Sequence, residues 1–355
     1  MLRNRWIVFA LILLILFLQS GCGKKNVNTP AQNPTNAGEG PKQTVESSPP
    51  EPPASPKAVN PLTGLADMDV KYINQRPLAV MVENEYHARP QSGLDKASVV
   101  YEILAEGGIT RFLALFLGED IDEIGPIRSA RPYFIDYAME YNSIYIHYGA
   151  SPQGYSDLKE LKINDIDGIY DGVTFWRDSS RKEPHNAYSS TEKMLRTSEK
   201  RGYLKPVDLK VWDFTEQDAQ PQGEALEKFK LTYFNNYSVS YTYDAAKKAY
   251  ERYINGKPHT DRKTGEPIFV KNIIIQYVNA RVIDKVGRLE MKTTGSGKAY
   301  YISDGFCEEI KWKKDSRSSR TVYTLTDGTE LKINPGNTWI QVMPQWGKFE
   351  KGEEQ

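Results

Sequence analysis

The sequence predicts an α+β protein, with an N-terminal mixed α/β sheet domain followed by a smaller, mainly β domain. Strand-like and helix-like patterns are interspersed in the first part of the chain, which favours a mixed sheet covered by helices. From Phe229 onward only short β-branched and aromatic runs occur, separated by turn signals such as Asn255-Gly256. A chain of 355 residues is long enough for two domains.

The chain begins with the pattern of a lipoprotein signal peptide. Basic residues and an apolar run over Trp6–Leu18 precede Ser20-Gly21-Cys22. The run is too short to span a bilayer comfortably, and small residues before a cysteine are typical of lipid attachment sites. We expect acylation of Cys22, with palmitate among the chains, and anchoring on the extracytoplasmic face of the cell membrane. An uncleaved anchor is the alternative, and it also leaves the rest outside the cytoplasm.

Composition shifts predict the domain boundaries. Prolines interrupt polar residues after Cys22, which predicts an extended, disordered tether. A polar stretch with Gly and Pro separates the two domains. The predicted segments are a signal peptide (1–22), a tether (23–60), an N-terminal α/β domain (61–212), a linker (213–224), a C-terminal mainly β domain (225–347) and a polar tail (348–355).

Local patterns predict the elements of the N-terminal domain. Runs of aliphatic residues predict strands, glycine pairs predict turns, and proline or a Ser-x-x-Glu capping box predicts helix starts. The expected elements are a strand over 78–82, a hairpin of 99–104 and 109–117 with a turn at Gly107-Gly108, a helix from Pro132, a strand over 143–148, a helix over 152–161, and a helix to Lys200 capped by Ser189.

The second domain is predicted to be a small barrel or sandwich. Val239, Tyr241 and Tyr243 alternate with polar residues, as half-buried strands do. A buried strand is expected over 270–278, and Gly295-Ser296-Gly297 is expected to be a hairpin turn. The run over 338–342 is predicted to be the strand that closes this domain.

Charge and cysteine content narrow the functional classes. Lys plus Arg equals Asp plus Glu, at 46 each, and there is no basic block. This balance predicts no nucleic-acid partner. The only other cysteine, Cys307, is expected to be a buried thiol.

The densest charged stretch is 102–134, and we expect a polar site there. Arg128 and Arg131 lie just before the predicted helix start at Pro132. A helix N-terminus beside two guanidinium groups favours binding of a carboxylate or phosphate. Pairing with Glu102, Glu106 and Asp136 in a structural network is the alternative. The predicted ligand-binding residues of an Arg-rich cleft are Arg89, Arg111, Arg128, Arg131, Arg177 and Asn186.

Paired carboxylates are the leading catalytic candidates. Glu102 and Glu106, with His147 or His185, have the chemistry of an acid and a base for glycan cleavage. A structural Glu106–Arg111 ion pair is the simpler interpretation. The histidines show no His-x-x-x-His spacing, so we predict neither a metal site nor a cofactor.

Several motifs together resemble the YerB-like lipoproteins of Gram-positive bacteria. The resemblance covers 60–347 and rests on Arg89-Pro90-Gln91-Ser92-Gly93, Glu106-Gly107-Gly108-Ile109-Thr110-Arg111, the Arg128–Arg131 segment, His147-Tyr148-Gly149, Pro184-His185-Asn186 and Asn334-Pro335-Gly336-Asn337-Thr338-Trp339. That family combines two domains of unknown function. The resemblance therefore implies location and architecture, without established catalytic residues.

We therefore expect a membrane-anchored protein of the Gram-positive cell envelope that binds peptidoglycan, another wall glycan or an envelope protein. A wall-directed hydrolase that uses Glu106 with His147 or His185 is the alternative.

Overall fold

The computed structural model describes residues 56–235 and 237–352. The predicted signal peptide, Cys22 and the tether up to residue 55 lie outside the described residues. All the described residues belong to one compact unit. Within the described ranges, no helix has the length and apolar character needed to cross a membrane.

The first part of the chain mixes strands with three α-helices. The helices are α1 (Pro132–Glu140), α2 (Pro152–Glu160) and α3 (Thr191–Lys200). The strands are β1 (Lys57–Ala58), β2 (Met68–Asp69), β3 (Leu78–Glu83), β4 (Val99–Leu104), β5 (Thr110–Phe116), β6 (Ile144–His147), β7 (Asp165–Asp167), β8 (Trp176–Arg177) and β9 (Ala187–Tyr188).

The rest of the described chain forms strands only. These are β10 (Asp213–Phe214), β11 (Glu224–Ala225), β12 (Lys228–Phe234), β13 (Tyr237–Asp244), β14 (Ala249–Ile254), β15 (Lys257–Pro258), β16 (Phe269–Val270), β17 (Asn272–Val278), β18 (Ala280–Val282), β19 (Leu289–Met291), β20 (Gly295–Ser303), β21 (Phe306–Lys314), β22 (Val322–Thr324), β23 (Lys332–Ile333), β24 (Thr338–Pro344) and β25 (Lys348–Lys351).

A mixed sheet runs through both parts of the chain. Its strand order is β11-β21-β20-β17-β24-β4-β5-β3-β6-β7, with β22 beside β21. Strand β24 pairs in parallel with β17 on one side and β4 on the other. The last long strand of the sequence therefore joins the two parts into one sheet.

A second sheet covers one face of the mixed sheet. Its strands are antiparallel, in the order β15-β14-β13-β12-β25, with β16 beside β14. The hydroxyl of Tyr233 on β12 donates to Gln341 on β24 at 3.1 Å. Helix α1 covers the opposite face, where Tyr137 stacks on Tyr101 of β4 with ring centroids 4.5 Å apart. The core thus lies on both faces of the central strands.

The α+β class is confirmed, and most predicted elements have the expected positions. Strand β4 has the predicted bounds, and α1 begins at Pro132. Gly107 and Gly108 adopt positive φ angles of 74° and 72° in the turn between β4 and β5. Glycine tolerates this region without a steric penalty, so the glycine pair alone was enough to predict the turn.

Four local features differ from the expectations. Ser190, not Ser189, caps α3, because the Ser189 hydroxyl donates to the carbonyl of Thr174. Lys57 and Ala58, which were expected to be part of the tether, form β1 and pair with β2. The expected polar tail contains β25, whose Phe349 packs edge-on against Phe229. The segment Gly295-Ser296-Gly297 lies inside β20 and is not a turn.

The role of the run over 338–342 also differs. It does form a strand, but β24 lies in the middle of the mixed sheet rather than closing a separate barrel. All seven β24 residues are buried. A fully buried parallel strand is a continuous apolar run, and that pattern does not reveal which strands are its partners.

Candidate functional site

The segment around Arg128 is held against the ends of two strands. The backbone N–H of Arg128 donates to Met81 of β3, and its carbonyl accepts from Tyr148 just after β6. Gly125 precedes this segment with a φ of 151°, and a Cβ there would lie 2.8 Å from the Tyr188 ring. Only glycine fits so close a contact, so the local sequence fixes the path of the chain into the site.

Arg111 and Arg131 share one carboxylate. Arg131 binds both oxygens of Glu106, with its Nη2 3.0 Å from Oε2. The Nη2 of Arg111 lies 3.4 Å from the same Oε2. Burial raises the pKa of Glu106, but Arg131 and Arg111 outweigh it and lower that pKa overall. Burial and the charge of Arg131 lower the pKa of Arg111 to about 10.

Arg128 is paired differently. Its Nε donates to Oε1 of Glu83 at 2.8 Å, while its Nη atoms make no hydrogen bond within the described part of the chain. Its side chain is 27% exposed, whereas that of Glu83 is 5% exposed. Glu83 and Arg111 are cross-strand partners on β3 and β5, so their side chains share a face of the sheet. We call Arg111, Arg128, Arg131, Glu83 and Glu106 the arginine cluster.

Arg177 and Asn186 lie beside this cluster. The Arg177 guanidinium lies over the Tyr148 ring, 4.5 Å from its centroid, and its Nη1 donates to Asn186 at 2.7 Å. Cation–π contacts of this kind hold a guanidinium in place. Together with Arg128 and His185, these three residues form what we call the Arg128 surface.

Arg89 contacts a different part of the molecule. It donates through Nε to the backbone carbonyl of Asn84 at 3.0 Å, and its guanidinium lies 5.2 Å from the ring centroid of Tyr237. Its hydrogen bonds are thus made to its own loop. Glu106 links Arg111 with Arg131, and Arg177 is bonded to Asn186, whereas Arg89 is bonded to none of the other predicted ligand-binding residues.

Glu102 and His147 are fully buried. Glu102 forms an ion pair with Arg252 of β14, and both side chains have no exposed surface. His147 lies between the carbonyl of Gly149, at 2.9 Å, and Asp165, at 3.1 Å. Neither candidate acid–base residue reaches solvent in this structure.

The remaining candidates, Glu106 and His185, have separate partners. The Nδ1 of His185 lies 2.9 Å from Oε2 of Glu83, while Glu106 contacts Arg111 and Arg131. Asp136, which was considered as a partner of Arg128 and Arg131, binds Arg317 instead, at 2.6 Å. No described contact assembles Glu106 with a histidine, as an acid–base pair would require.

A cavity of about 440 Å³ lies elsewhere, between α1 and the β18–β19 hairpin. Asp136, Arg281 and Arg317 are among its lining residues. None of the predicted site residues lines it, so it belongs to a different region of the surface.

Sequence reasoning missed one cluster of potential metal ligands. Glu85, His87 and His185 each place a ligand atom within 4.8 Å of the others. The Glu-x-His pair at 85 and 87 was the only local signal, because His185 lies about a hundred positions further along the chain. We call these three residues the histidine–carboxylate cluster.

Comparisons with known proteins place the chain in a family. Residues 62–204 match the family model described as "Protein of unknown function (DUF3048) N-terminal domain", and 229–340 match its C-terminal domain. The YerB lipoprotein of Bacillus subtilis (strain 168) is 36% identical over 308 residues, covering 85% of this chain and 92% of YerB.

A crystal structure of the YerB protein from Bacillus subtilis is similar to the present structure. Its TM-score is 0.74 at 35% identity, and the match covers 83% of this chain and 100% of the solved chain. The two family models and this relative span both parts of the fold. The chain therefore belongs to the DUF3048 family of YerB-like lipoproteins.

Proposed function

We propose that this lipoprotein, anchored through Cys22 on the extracytoplasmic face of the membrane of a Gram-positive cell, binds an anionic component of the envelope at the Arg128 surface. The ligand class is a carboxylate- or phosphate-bearing wall component, such as peptidoglycan, or an acidic region of an envelope protein. Membership of the family supports a lipoprotein, but the descriptions of its domains name no ligand.

The observation that carries this proposal is the partly exposed Arg128 guanidinium. Glu83 occupies its Nε edge, which leaves the two Nη atoms to bind an oxygen pair. Planar guanidinium groups recognise carboxylate and phosphate through two parallel hydrogen bonds. Glu83 is almost fully buried beneath it, so the ligand-binding edge is held in a fixed orientation.

The charge balance of the arginine cluster also favours an anion. Three guanidinium groups face two carboxylates, Glu83 and Glu106. One positive charge is therefore left uncompensated within the cluster. Partial burial weakens screening by salt and water, so this surplus charge acts more strongly on a ligand than an isolated surface arginine does.

Arg177, Tyr148 and Asn186 extend the surface. Arg177 is 36% exposed and is held over Tyr148 by the cation–π contact. A guanidinium and the edge of an aromatic ring offer polar and apolar contacts to a sugar or a peptide. This combination suits an envelope polymer better than a free inorganic anion.

No observation favours the hydrolase alternative. The lowered pKa of Glu106 keeps it ionised, and a general acid requires a raised pKa. The contacts with Arg111 and Arg131 occupy the oxygens of Glu106 that a proton transfer would use. His147 is buried, and His185 contacts Glu83 instead.

The test uses residues 54–355, the compact unit, mixed with purified Gram-positive cell walls and then sedimented. We expect retention of the wild-type protein and at least a tenfold weaker retention of Arg128→Ala, because a charge-assisted hydrogen bond contributes about 1.5–3 kcal/mol. Arg196→Ala is the matched control, since Arg196 is 61% exposed and forms an ion pair with Glu192 on the same helix.

Two results would contradict the proposal. One is equal retention of wild type and Arg128→Ala. The other is release of soluble wall fragments that stops in Glu106→Gln, which would establish the hydrolase alternative. An envelope-protein ligand is distinguished by an Arg128-dependent complex with membrane extracts in the absence of wall retention.

A further inference from the structure

We propose that Glu85, His87 and His185 form a binding site for a divalent transition-metal ion, with zinc as the best match. This inference goes beyond the proposed anion binding, although the two sites share His185 and its contact with Glu83. It assigns a role to His87, which the sequence patterns left unexplained.

The spacing of the ligand atoms suits a tetrahedral ion. Metal–ligand bonds of about 2.0–2.1 Å place neighbouring ligands of a tetrahedral zinc ion about 3.3 Å apart. Oε2 of Glu85 lies 3.1 Å from Nδ1 of His87 and 3.7 Å from Nε2 of His185. These two distances bracket the required value, and all three ligand atoms lie within 4.8 Å of one another, so rotation of the side chains can bring them onto one ion.

Glu83 supplies the supporting contact that metal-binding histidines usually have. Its Oε2 lies 2.9 Å from Nδ1 of His185. A proton on Nδ1 that is donated to this carboxylate leaves the Nε2 lone pair directed towards Glu85. The other oxygen of Glu83 is held by Arg128, which fixes the orientation of the carboxylate.

The chain brings the ligands together from two loops. His87 lies in the short 3-10 helix Tyr86–Ala88 that follows β3, and Glu85 is the N-cap of that helix. His185 lies on the loop before β9. Arg181 ties the two loops together, because its Nη2 donates to the carbonyl of Pro90 at 2.6 Å. The fold therefore brings the three ligand residues close together without the ion.

The donor set selects the class of ion. Two imidazoles and one carboxylate suit zinc and related first-row ions, whereas calcium and magnesium require mainly oxygen ligands. The His87 side chain is 72% exposed, so the site opens to solvent. Three protein ligands leave a fourth position for water or an external ligand.

The test titrates tag-free residues 54–355 with zinc alone, using competition with a chromogenic chelator. We expect one zinc ion per chain. His87→Gln and His185→Gln should each weaken binding at least tenfold, and Glu83→Gln should weaken it about 10–100-fold through the supporting contact. Glu192→Gln, an exposed carboxylate on α3, is the control and should bind as the wild type does.

His87→Gln keeps the test decisive even if other variants fold poorly, because its side chain is mostly outside the core. Cobalt provides a second measurement, since d–d absorption reports the geometry of its ligands. The absence of zinc binding would overturn the proposal. Binding that is unchanged in His87→Gln and His185→Gln would overturn it equally.

Discussion

At the scale of single residues, the charged groups of the central strands have different roles. Glu102 and Arg252 form a pair without solvent exposure, and the guanidinium lies 4.8 Å from the ring centroid of Trp339. Burial alone lowers the pKa of Arg252, but the charge of Glu102 raises it overall. Thr110 also donates to Glu102. This pair links the mixed sheet to the second sheet.

Removing one partner of this pair should strongly destabilise the protein. In Arg252→Met the carboxylate of Glu102 stays buried without its counter-ion, which costs about 3–5 kcal/mol. Urea unfolding of residues 54–355 measures the loss. Glu309→Gln removes an exposed pair with Lys298 and should change stability by less than about 1 kcal/mol. Equal stability of the two variants would show that the pair is not structural.

The contribution of Glu106 to stability should depend on pH. The pKa of Glu106 is lower in the folded state than its ordinary value of 4.5. Its stabilising contribution is therefore present above pH 4.5 and is lost as the pH falls through the lower folded-state pKa. The gap in unfolding free energy between wild type and Glu106→Gln should be full at pH 7 and close under acid conditions. A gap that is independent of pH would contradict the ion-pair assignment.

Residue types and spacing predicted part of this arrangement. The Arg128–Arg131 segment, the start of α1 and the proximity of Glu106 to Arg111 follow from local sequence. The partners of Glu102 and His185 cannot be predicted from local sequence, because Arg252 and Glu85 lie about a hundred or more positions away. Which distant side chains meet is decided by sheet order, and local periodicity carries no information about that order.

At the scale of elements, β24 has the most far-reaching role. It lies between β17 and β4 with parallel pairing on both sides. Trp339 on β24 is fully buried and packs edge-on against Phe112 of β5. Loss of β24 would leave two strands with unpaired edges, which favours aggregation.

A chain that ends at residue 336 should therefore fail to fold. It lacks β24, so both parts of the mixed sheet lose a central partner. A chain that ends at residue 347 is the matched control, because it loses only β25 at the edge of the second sheet. Circular dichroism and gel filtration should show cooperative unfolding of a monomer for the control alone. A folded, monomeric chain ending at 336 would contradict this role of β24.

The strand patterns were predictable, whereas the position of β24 was not. Its apolar run indicates a buried strand, and the hairpin of β4 and β5 follows from adjacent segments and a glycine turn. Strand β24 pairs with β4 across more than two hundred positions of sequence. Forming such a contact requires closure of a long loop, and it is decided by the packing of the whole sheet.

At the scale of the whole molecule, the Arg128 surface and the histidine–carboxylate cluster are both supported by Glu83. Glu83 contacts Arg128 through one oxygen and His185 through the other. The Arg128 surface and the histidine–carboxylate cluster thus meet at a single buried carboxylate. A ligand that displaces Arg128 from Glu83 would also change the environment of His185.

The most direct test of the proposed function is the salt dependence of wall retention for wild type and Arg128→Ala. Raising NaCl from about 0.1 M to about 1 M shortens the screening length from about 10 Å to about 3 Å. We predict that wild-type residues 54–355 are retained at low salt and released at high salt, and that Arg128→Ala, which should still unfold cooperatively, is released at both. Retention that neither salt nor Arg128→Ala reduces would contradict anion binding at this surface.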